Sequence, residues 1–148
     1  MSKITCILLF VVAASLGTVF AITDEERAGL REVMAPIIAE CSTEHGVSED
    51  EVEAAKEAYS ADAIKSCFMG CVMKKIGVID SKGFYNAEKG IEGLKKVIKS
   101  EEDIAKFEEI SKICTKVNDE SVSDGDAGCD RAKLIMTCAI ENKAEMPL

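Results

Sequence analysis

The segment Cys67-Phe68-Met69-Gly70-Cys71 decides how the rest of the sequence is interpreted, because it places two cysteines four residues apart. Residues separated by four positions lie on the same face of an α-helix. A second pair, Cys129 and Cys138, is nine residues apart, so at about 100° per residue these side chains face opposite sides of a helix. Two cysteines on one helix face must reach two different elements, whereas two on opposite faces can tie their helix to two neighbours.

The first 21 residues have the layout of a secretory signal peptide. Lys3 supplies a basic start, residues 4–14 are almost entirely apolar, and the small residues Val19 and Ala21 occupy the positions that a signal peptidase requires. We therefore expect cleavage after Ala21. The protein is predicted to be secreted and extracellular.

Cleavage also changes the cysteine count. The signal peptide (residues 1–21) takes Cys6 with it, and the remaining helical domain, residues 22–148, keeps an even number of cysteines, as a secreted disulfide framework requires. Six cysteines can pair in 15 ways, and their spacing alone does not choose among them. The six are Cys41, Cys67, Cys71, Cys114, Cys129 and Cys138.

Composition excludes several classes of function. The chain of 148 residues has 27 acidic and 18 basic residues, one histidine and no tryptophan, with a net charge of −9. Nucleic-acid binding requires basic patches, so no nucleic-acid partner is expected. A zinc site at the cysteine pair is disfavoured, because His45 is distant in sequence and the compartment is oxidising. We predict no enzyme activity, no metal and no cofactor.

Capping signals and apolar residues at helical spacing divide residues 22–148 into six helices. The predicted fold class is all-α, with about six helices around a hydrophobic cavity, tied by three disulfides. Pro36 should kink the first helix. The run Leu134–Ile140 is apolar except at Thr137, so the sixth helix is expected to be central and buried on all sides. The predicted helices run from Thr23 to about Glu44, Ser48 to near Tyr59, Ser60 to Lys75, Asn86 to about Lys99, Ser100 with an apolar face reaching Val117, and Cys129 to Lys143.

Several apolar side chains are candidates for the wall of a ligand-binding cavity. Methionine is flexible and suits a pocket that accepts several ligands. Tyr85 could offer its hydroxyl as a polar contact while its ring packs. Ordinary core or surface positions remain the alternative, because core and cavity residues look alike in sequence. The candidate ligand-binding residues are Met34, Met69, Met73, Tyr85, Leu94, Phe107, Ile135, Ala139 and Leu148.

The spacing of the six cysteines resembles the signature of the insect odorant-binding proteins, the pheromone-binding and general odorant-binding family. The gaps of three and eight residues are the most specific part, and the Lys82-Gly83-Phe84-Tyr85-Asn86 segment is also similar to members of that family. The full pattern is Cys41-x25-Cys67-x3-Cys71-x42-Cys114-x14-Cys129-x8-Cys138.

This resemblance implies a function and a set of bridges. Members are soluble carriers of small hydrophobic molecules, without cofactors or catalytic residues. We expect a secreted carrier of odorants, pheromones or similar ligands that is monomeric or a weak homodimer and releases its cargo at a sensory receptor or membrane surface. The alternative is a secreted interaction protein of venom or seminal fluid on the same scaffold. The implied pairings are Cys41–Cys71, Cys67–Cys129 and Cys114–Cys138.

The last three residues, Met146 to Leu148, form an apolar tip that is predicted to act as a lid, with Leu148 contacting the mouth of the cavity. His45 is the only histidine, so a cluster of imidazoles cannot drive release between pH 5 and 7. Acid release would have to depend on carboxylates such as Glu141 and Glu145.

Overall fold

The computed structural model describes residues 22–142, which form six α-helices and two short 3-10 segments. Within this range the β pairing amounts to one antiparallel bridge between Ile79 and Tyr85. The predicted all-α fold with six helices is therefore confirmed. The helices are α1 (Asp24–His45), α2 (Glu49–Ala58), α3 (Ser66–Lys75), α4 (Ala87–Lys95), α5 (Glu101–Cys114) and α6 (Cys129–Glu141), and the 3-10 segments are Thr115–Asp119 and Gly125–Ala127.

Capping boxes begin the first two helices as the sequence predicts. The Thr23 hydroxyl accepts the Glu26 N–H at 3.2 Å, and the Glu26 carboxylate accepts the Thr23 N–H at 2.9 Å. Ser48 and Glu51 make the same reciprocal pair at the start of α2. Each box satisfies backbone N–H groups that the first turn of a helix leaves without partners.

The third helix begins later than predicted, at Ser66 instead of Ser60. Ser60 forms a local turn instead: its hydroxyl accepts the Asp62 N–H at 3.2 Å, and its carbonyl accepts the Ala63 N–H at 3.2 Å. Serine side chains favour such turns because they compete with helical hydrogen bonds. Residues 60–65 therefore connect α2 to α3.

The fourth helix is shorter than predicted and ends at Lys95 instead of about Lys99. The Leu94 carbonyl accepts the N–H groups of both Val97 and Ile98, which tightens the chain at this point. The Lys99 N–H then bonds to the carboxylate of Glu26 on α1, at 2.7 Å. A contact with another helix has replaced the continuation of α4.

The sixth helix buries one face, so the prediction that it is buried on all sides is wrong. Lys133 and Thr137 are exposed, and Leu134 is half-buried. The helix ends at Glu141, and the predicted end at Lys143 lies outside the described residues. The buried residues of α6 are Arg131, Ala132, Ile135 and Cys138.

The first helix continues through Pro36, and its apolar stripe is only partly covered. Cys41 is buried at the carboxyl end of the helix, whereas the side chains of Leu30 and Ile37 are half-buried and Val33 is 56% exposed. On α5, the apolar side chain of Ile113 is likewise 40% exposed. The packing of α1 and α5 therefore leaves some of their apolar side chains exposed.

Three disulfides tie four helices and confirm the implied pairing. Cys41–Cys71 joins α1 to α3, Cys67–Cys129 joins α3 to α6, and Cys114–Cys138 joins α5 to α6. The two cysteines on one face of α3 thus reach different helices, as the four-residue spacing requires.

The most extensive helix packing in the described chain is between α3 and α6. A Cβ atom added at Gly70 on α3 would lie 2.9 Å from the carbonyl oxygen of Gly128, the residue that precedes α6. Gly128 itself has a φ of 81°, a conformation that favours glycine. Glycine at both positions lets the two backbones approach, and the Cα atoms of Cys67 and Cys129 are 4.2 Å apart.

The apolar interior consists of two clusters. The larger cluster is centred on α3 and α6 and includes the buried side chains of Phe68, Met69 and Ile135. The smaller cluster lies where the chain entering α1 meets α4 and α5, and its buried members are Ile22, Ile91, Ile98 and Ile104.

Arg131 is a buried arginine, 3% exposed, that joins α6 to two loops. Its guanidinium donates hydrogen bonds to the backbone carbonyls of Gly83 at 3.2 Å, Glu120 at 3.1 Å and Val117. The guanidinium also lies over the ring of Phe84, 5.5 Å from its centroid. These contacts give the buried guanidinium its hydrogen-bond acceptors. Arg131 takes part in none of the ion pairs between described residues, so carbonyl groups and not a carboxylate balance its charge.

We predict that Arg131→Met lowers the free energy of unfolding by about 2–4 kcal/mol, because it leaves buried carbonyls without donors. Urea denaturation monitored by circular dichroism measures the change. Lys133→Met is the matched control on the same helix, where an exposed ion pair with Asp62 is lost and stability should stay nearly unchanged. Equal effects of the two substitutions would contradict the role given to Arg131.

Glu26 links the start of α1 to the segment between α4 and α5. Its carboxylate accepts the N–H groups of Lys99 and Thr23 and the Thr23 hydroxyl. These hydrogen bonds, that of the Lys99 amide above all, hold the pKa of Glu26 below its ordinary value. At pH values above the pKa that Glu26 has in the unfolded chain, the Glu26 carboxylate contributes its full stabilisation of the fold. This stabilisation is lost as the pH falls through the lower pKa that Glu26 has in the folded protein.

We predict that Glu26→Gln destabilises the protein at neutral pH, and that the difference from the parent shrinks as the pH falls below about 4.3, the ordinary pKa of a glutamate. Urea denaturation at a series of pH values measures this difference. Glu25→Gln, an exposed neighbour on the same turn, is the control. A Glu26→Gln effect that is the same at all pH values would refute the linkage.

Candidate functional site

Four of the nine predicted ligand-binding residues come together at the larger cluster. Met69 and Ile135 are buried members of that cluster, and Met73 and Tyr85 are half-buried and pack against it. Met69 and Met73 project from α3, and Ile135 projects from α6. Tyr85 belongs to the segment between α3 and α4. The structure thus places these side chains at the junction of α3, α6 and the segment that carries Tyr85.

The other predicted residues are distributed more widely. Leu94 on α4 and Phe107 on α5 are half-buried against the smaller cluster. Met34 and Ala139 are half-buried on α1 and α6, outside the membership of either cluster. Leu148 and the lid predicted from it lie outside the described residues.

The backbone of Tyr85 is hydrogen-bonded to the side chain of Asn118. Its N–H donates to the Asn118 side-chain oxygen at 2.8 Å, and the Asn118 amide donates to the Tyr85 carbonyl at 3.0 Å. Within residues 22–142 the Tyr85 hydroxyl has no hydrogen-bond partner. The phenol therefore keeps its capacity to donate or accept a hydrogen bond. Asn118 follows α5 in the 3-10 segment, and its support of Tyr85 was not predicted from the sequence.

Two surface grooves were also not predicted, and neither is lined by a predicted ligand-binding residue. The first has a volume of about 410 Å³ and lies between α4 and α5, where Ile91 forms an apolar part of its wall and Lys95, Glu108 and Lys112 supply charge. The second, of about 340 Å³, is lined by residues of α1 and α3 and the start of α6.

The second groove contains the one group of potential metal ligands found among residues 22–142, formed by Glu44, His45 and Cys71. The Cys71 sulfur is bonded to Cys41, so it offers no thiolate, the form of cysteine that binds metals. The His45 Nε2 lies 3.9 Å from a Glu44 carboxylate oxygen, at the carboxyl end of α1. One histidine and one exposed carboxylate do not make a protein metal centre.

Charged residues on the outer helix faces form local ion pairs. Lys56–Glu53 and Lys89–Glu92 are pairs of this kind, and the pKa of each glutamate is lowered by the hydrogen bond from its lysine. Within residues 22–142, no helix combines the length and the apolar character that spanning a bilayer requires. The apolar side chains at the interior and not these surface charges are the features that could select a ligand.

Comparison with known proteins agrees with this architecture. The chain is 29% identical over 143 residues to general odorant-binding protein 19d of Drosophila melanogaster, covering 94% of this chain and 89% of that protein. It is also similar to the solved structure of the odorant-binding protein dmelOBP28a from Drosophila melanogaster, with a TM-score of 0.56 and 21% identity over 82% of this chain and 96% of that one. At 21% identity, this structural similarity shows a shared fold and nothing more.

The family comparison covers the helical domain. The sequence model of the PBP/GOBP family matches residues 24–142, which include all six helices and all three disulfides. The resemblance found in the cysteine spacing is therefore confirmed, and the chain belongs to the PBP/GOBP family.

Proposed function

We propose that this protein is a secreted carrier that reversibly binds small hydrophobic molecules in its apolar interior, and that it has no enzyme activity. Family membership and the similarity to a protein named as a general odorant-binding protein support this role. Signal cleavage after Ala21 would deliver the disulfide-bonded domain to the oxidising compartment that its bridges require. Release at a receptor or membrane surface, and a monomeric or weakly dimeric state, belong to the same proposal.

The division of the apolar interior into two clusters is the observation that carries the proposal. Half-buried apolar side chains surround both clusters, including Met73 at the larger one and Leu30, Leu94 and Phe107 at the smaller one. Protein cores are normally filled, and apolar surface that remains accessible to water lowers the free energy of the system when it is covered. A small apolar ligand could supply that cover, and the three disulfides would hold the helices in place while it is absent.

The chemistry of the side chains limits the class of ligand. Aromatic residues make up 5% of the chain and tryptophan is absent, so aliphatic or terpenoid ligands suit the interior better than ligands that need aromatic stacking. The Tyr85 hydroxyl could bond one polar group, such as an alcohol or a carbonyl, at an end of such a molecule. The proposed ligand is thus an apolar molecule with few polar atoms.

We predict that Phe107→Ala weakens the binding of a fluorescent apolar probe at least about tenfold, equivalent to about 1.4 kcal/mol, because it removes a half-buried ring beside the smaller cluster. Ile113→Ala is the matched control, since Ile113 is an exposed apolar residue on the same helix. Titration of the probe gives both affinities, and thermal melting shows that each variant is folded. Equal affinities for the parent and Phe107→Ala would remove this residue from the site.

Met69 is a poorer position for such a test than the sequence suggested. Its side chain is buried in the larger cluster, so Met69→Lys would place a charge in the core and unfold the domain. Half-buried Met73, four residues later on the same helix, is the better choice. Met73→Lys should reduce probe binding while the thermal melt remains cooperative.

The lid hypothesis gives a separate prediction about the carboxyl terminus. A chain that ends at Glu145 lacks the apolar tip and should bind the probe more weakly and with less dependence on pH. His45→Ala should keep the pH dependence of the parent, because carboxylates are proposed to drive it. An unchanged affinity after truncation, or loss of the pH response in His45→Ala alone, would contradict the lid.

A further inference from the structure

The corner where the chain enters α1 contains two buried carboxylates. Glu26 is 9% exposed and Asp103, on the first turn of α5, is 4% exposed. None of the ion pairs between described residues includes either group. The Glu26 oxygens accept hydrogen bonds from the amides of Thr23 and Lys99, whereas the Oδ1 atom of Asp103 is buried and has no hydrogen-bond partner. Buried carboxylates normally have partners, so Asp103 requires an explanation.

Helical spacing places both carboxylates on the buried faces of their helices. Glu26 comes four residues before Leu30, and Asp103 comes four residues before Phe107. Leu30 and Phe107 both pack against the smaller apolar cluster. Residues four apart share a helix face, so the two carboxylates lie about one turn from the same cluster.

Ile22 is a buried member of that cluster and is 5% exposed. It immediately precedes Thr23, whose N–H bonds to the Glu26 carboxylate at 2.9 Å. The other oxygen of that carboxylate accepts the Lys99 N–H at 2.7 Å, and the next residue, Ser100, accepts the N–H of Asp103 at 3.2 Å. Hydrogen bonds to Glu26 therefore join the residue after Ile22 to Lys99, and the residue after Lys99 caps the helix turn that carries Asp103.

Cleavage after Ala21, which this inference takes from the proposed signal peptide, would make Ile22 the first residue of the mature chain. Hydrolysis of the Ala21–Ile22 amide releases a carboxyl group on the signal peptide and leaves a protonated α-amino group on Ile22. The Ile22 nitrogen donates no hydrogen bond to any residue within 22–142. We propose that the new α-ammonium group of Ile22 forms an ion pair with Asp103, so that removal of the signal peptide ties the chain entering α1 to the first turn of α5.

The other cations near this corner explain Asp103 less well. Lys99 has an exposed side chain and contributes its backbone amide to Glu26. Lys106 lies on α5, three residues after Asp103, and has interactions of its own. An ammonium on Ile22 is fixed instead by a buried apolar side chain, and a pair in such a place is stronger than an exposed one because it is shielded from water.

The test compares chains that differ only at their amino terminus. The mature protein beginning at Ile22 is prepared alongside a chain with one glycine added before Ile22 and a chain with an acetylated Ile22. We expect either change to lower the folding equilibrium constant about tenfold or more at pH 7, as measured by urea denaturation. Asp103→Asn should lower it in the mature chain and should abolish the effect of the added glycine and of the acetyl group.

Two further variants separate this pair from general effects of charge. Glu25→Gln removes an exposed carboxylate from the same turn of α1 and should leave the effect of acetylation unchanged. Lys106→Met should likewise leave it unchanged, because Lys106 is not the proposed partner of Asp103. Persistence of the acetylation effect in Asp103→Asn, or its loss in Lys106→Met, would overturn the proposal.

A chemical measurement is available if Asp103→Asn proves too unstable for denaturation. Limited acetylation of the folded mature protein at pH 7, followed by mass spectrometry, reports how reactive the α-amino group is relative to exposed lysines. We expect the Ile22 amine to react about tenfold more slowly than the amine of the glycine-extended chain. Equal rates would show that the amine is free in solution and would refute the pair.

Discussion

The close approach of α3 and α6 is the constraint on which the remaining structure depends. Glycine at positions 70 and 128 allows the two backbones to meet, and the Cys67–Cys129 bridge fixes them there. Each helix of this pair then carries one further cysteine. Cys71 binds α1 and Cys138 binds α5, so four of the six helices are joined through covalent bonds to one central pair.

This arrangement has a consequence for the interior. Helices that are tied by disulfides can keep their positions without filling all the space between them, because the bridges restrict the unfolded chain and so stabilise the fold. The partly covered apolar side chains of α1 and the half-buried ring of Phe107 on α5 are side chains of this kind, on helices that disulfides hold in place. The proposed binding of apolar molecules would use this incompletely packed surface, which in the absence of a ligand lowers the stability of a domain.

The sequence predicted the six helices and the three disulfides well, because helix starts depend on local chemistry and the disulfides depend on cysteine spacing. Thr23 and Ser48 cap their helices as expected, since a capping box involves residues only three positions apart. The carboxyl end of α4 and the burial of α6 were predicted less well, because they depend on partners distant in sequence, whereas Asn86 caps α4 as predicted. The Lys99 amide, for example, bonds to Glu26 on another helix.

The buried charges were missed for a different reason. Arg131 lies four residues before Ile135 and seven before Cys138, which places it on the buried stripe of α6. That spacing is present in the sequence, but charged residues are rarely buried, so spacing alone does not predict a buried arginine at this position. The wall of the proposed ligand site is harder still to predict, because Met69 in the core and Met73 at its edge differ only in how their neighbours cover them.

The central claim is that ligands bind in the interior and not in a surface groove. The most direct measurement is nuclear magnetic resonance of protein labelled with 13C at the methyl groups of methionine, leucine and isoleucine, in the presence of an unlabelled apolar probe. The account predicts intermolecular nuclear Overhauser effects from the probe to Met73 and Leu94. In a second sample labelled at the methyl groups of alanine, contacts confined to Ala87 and Ala127, which line the two surface grooves, would contradict it.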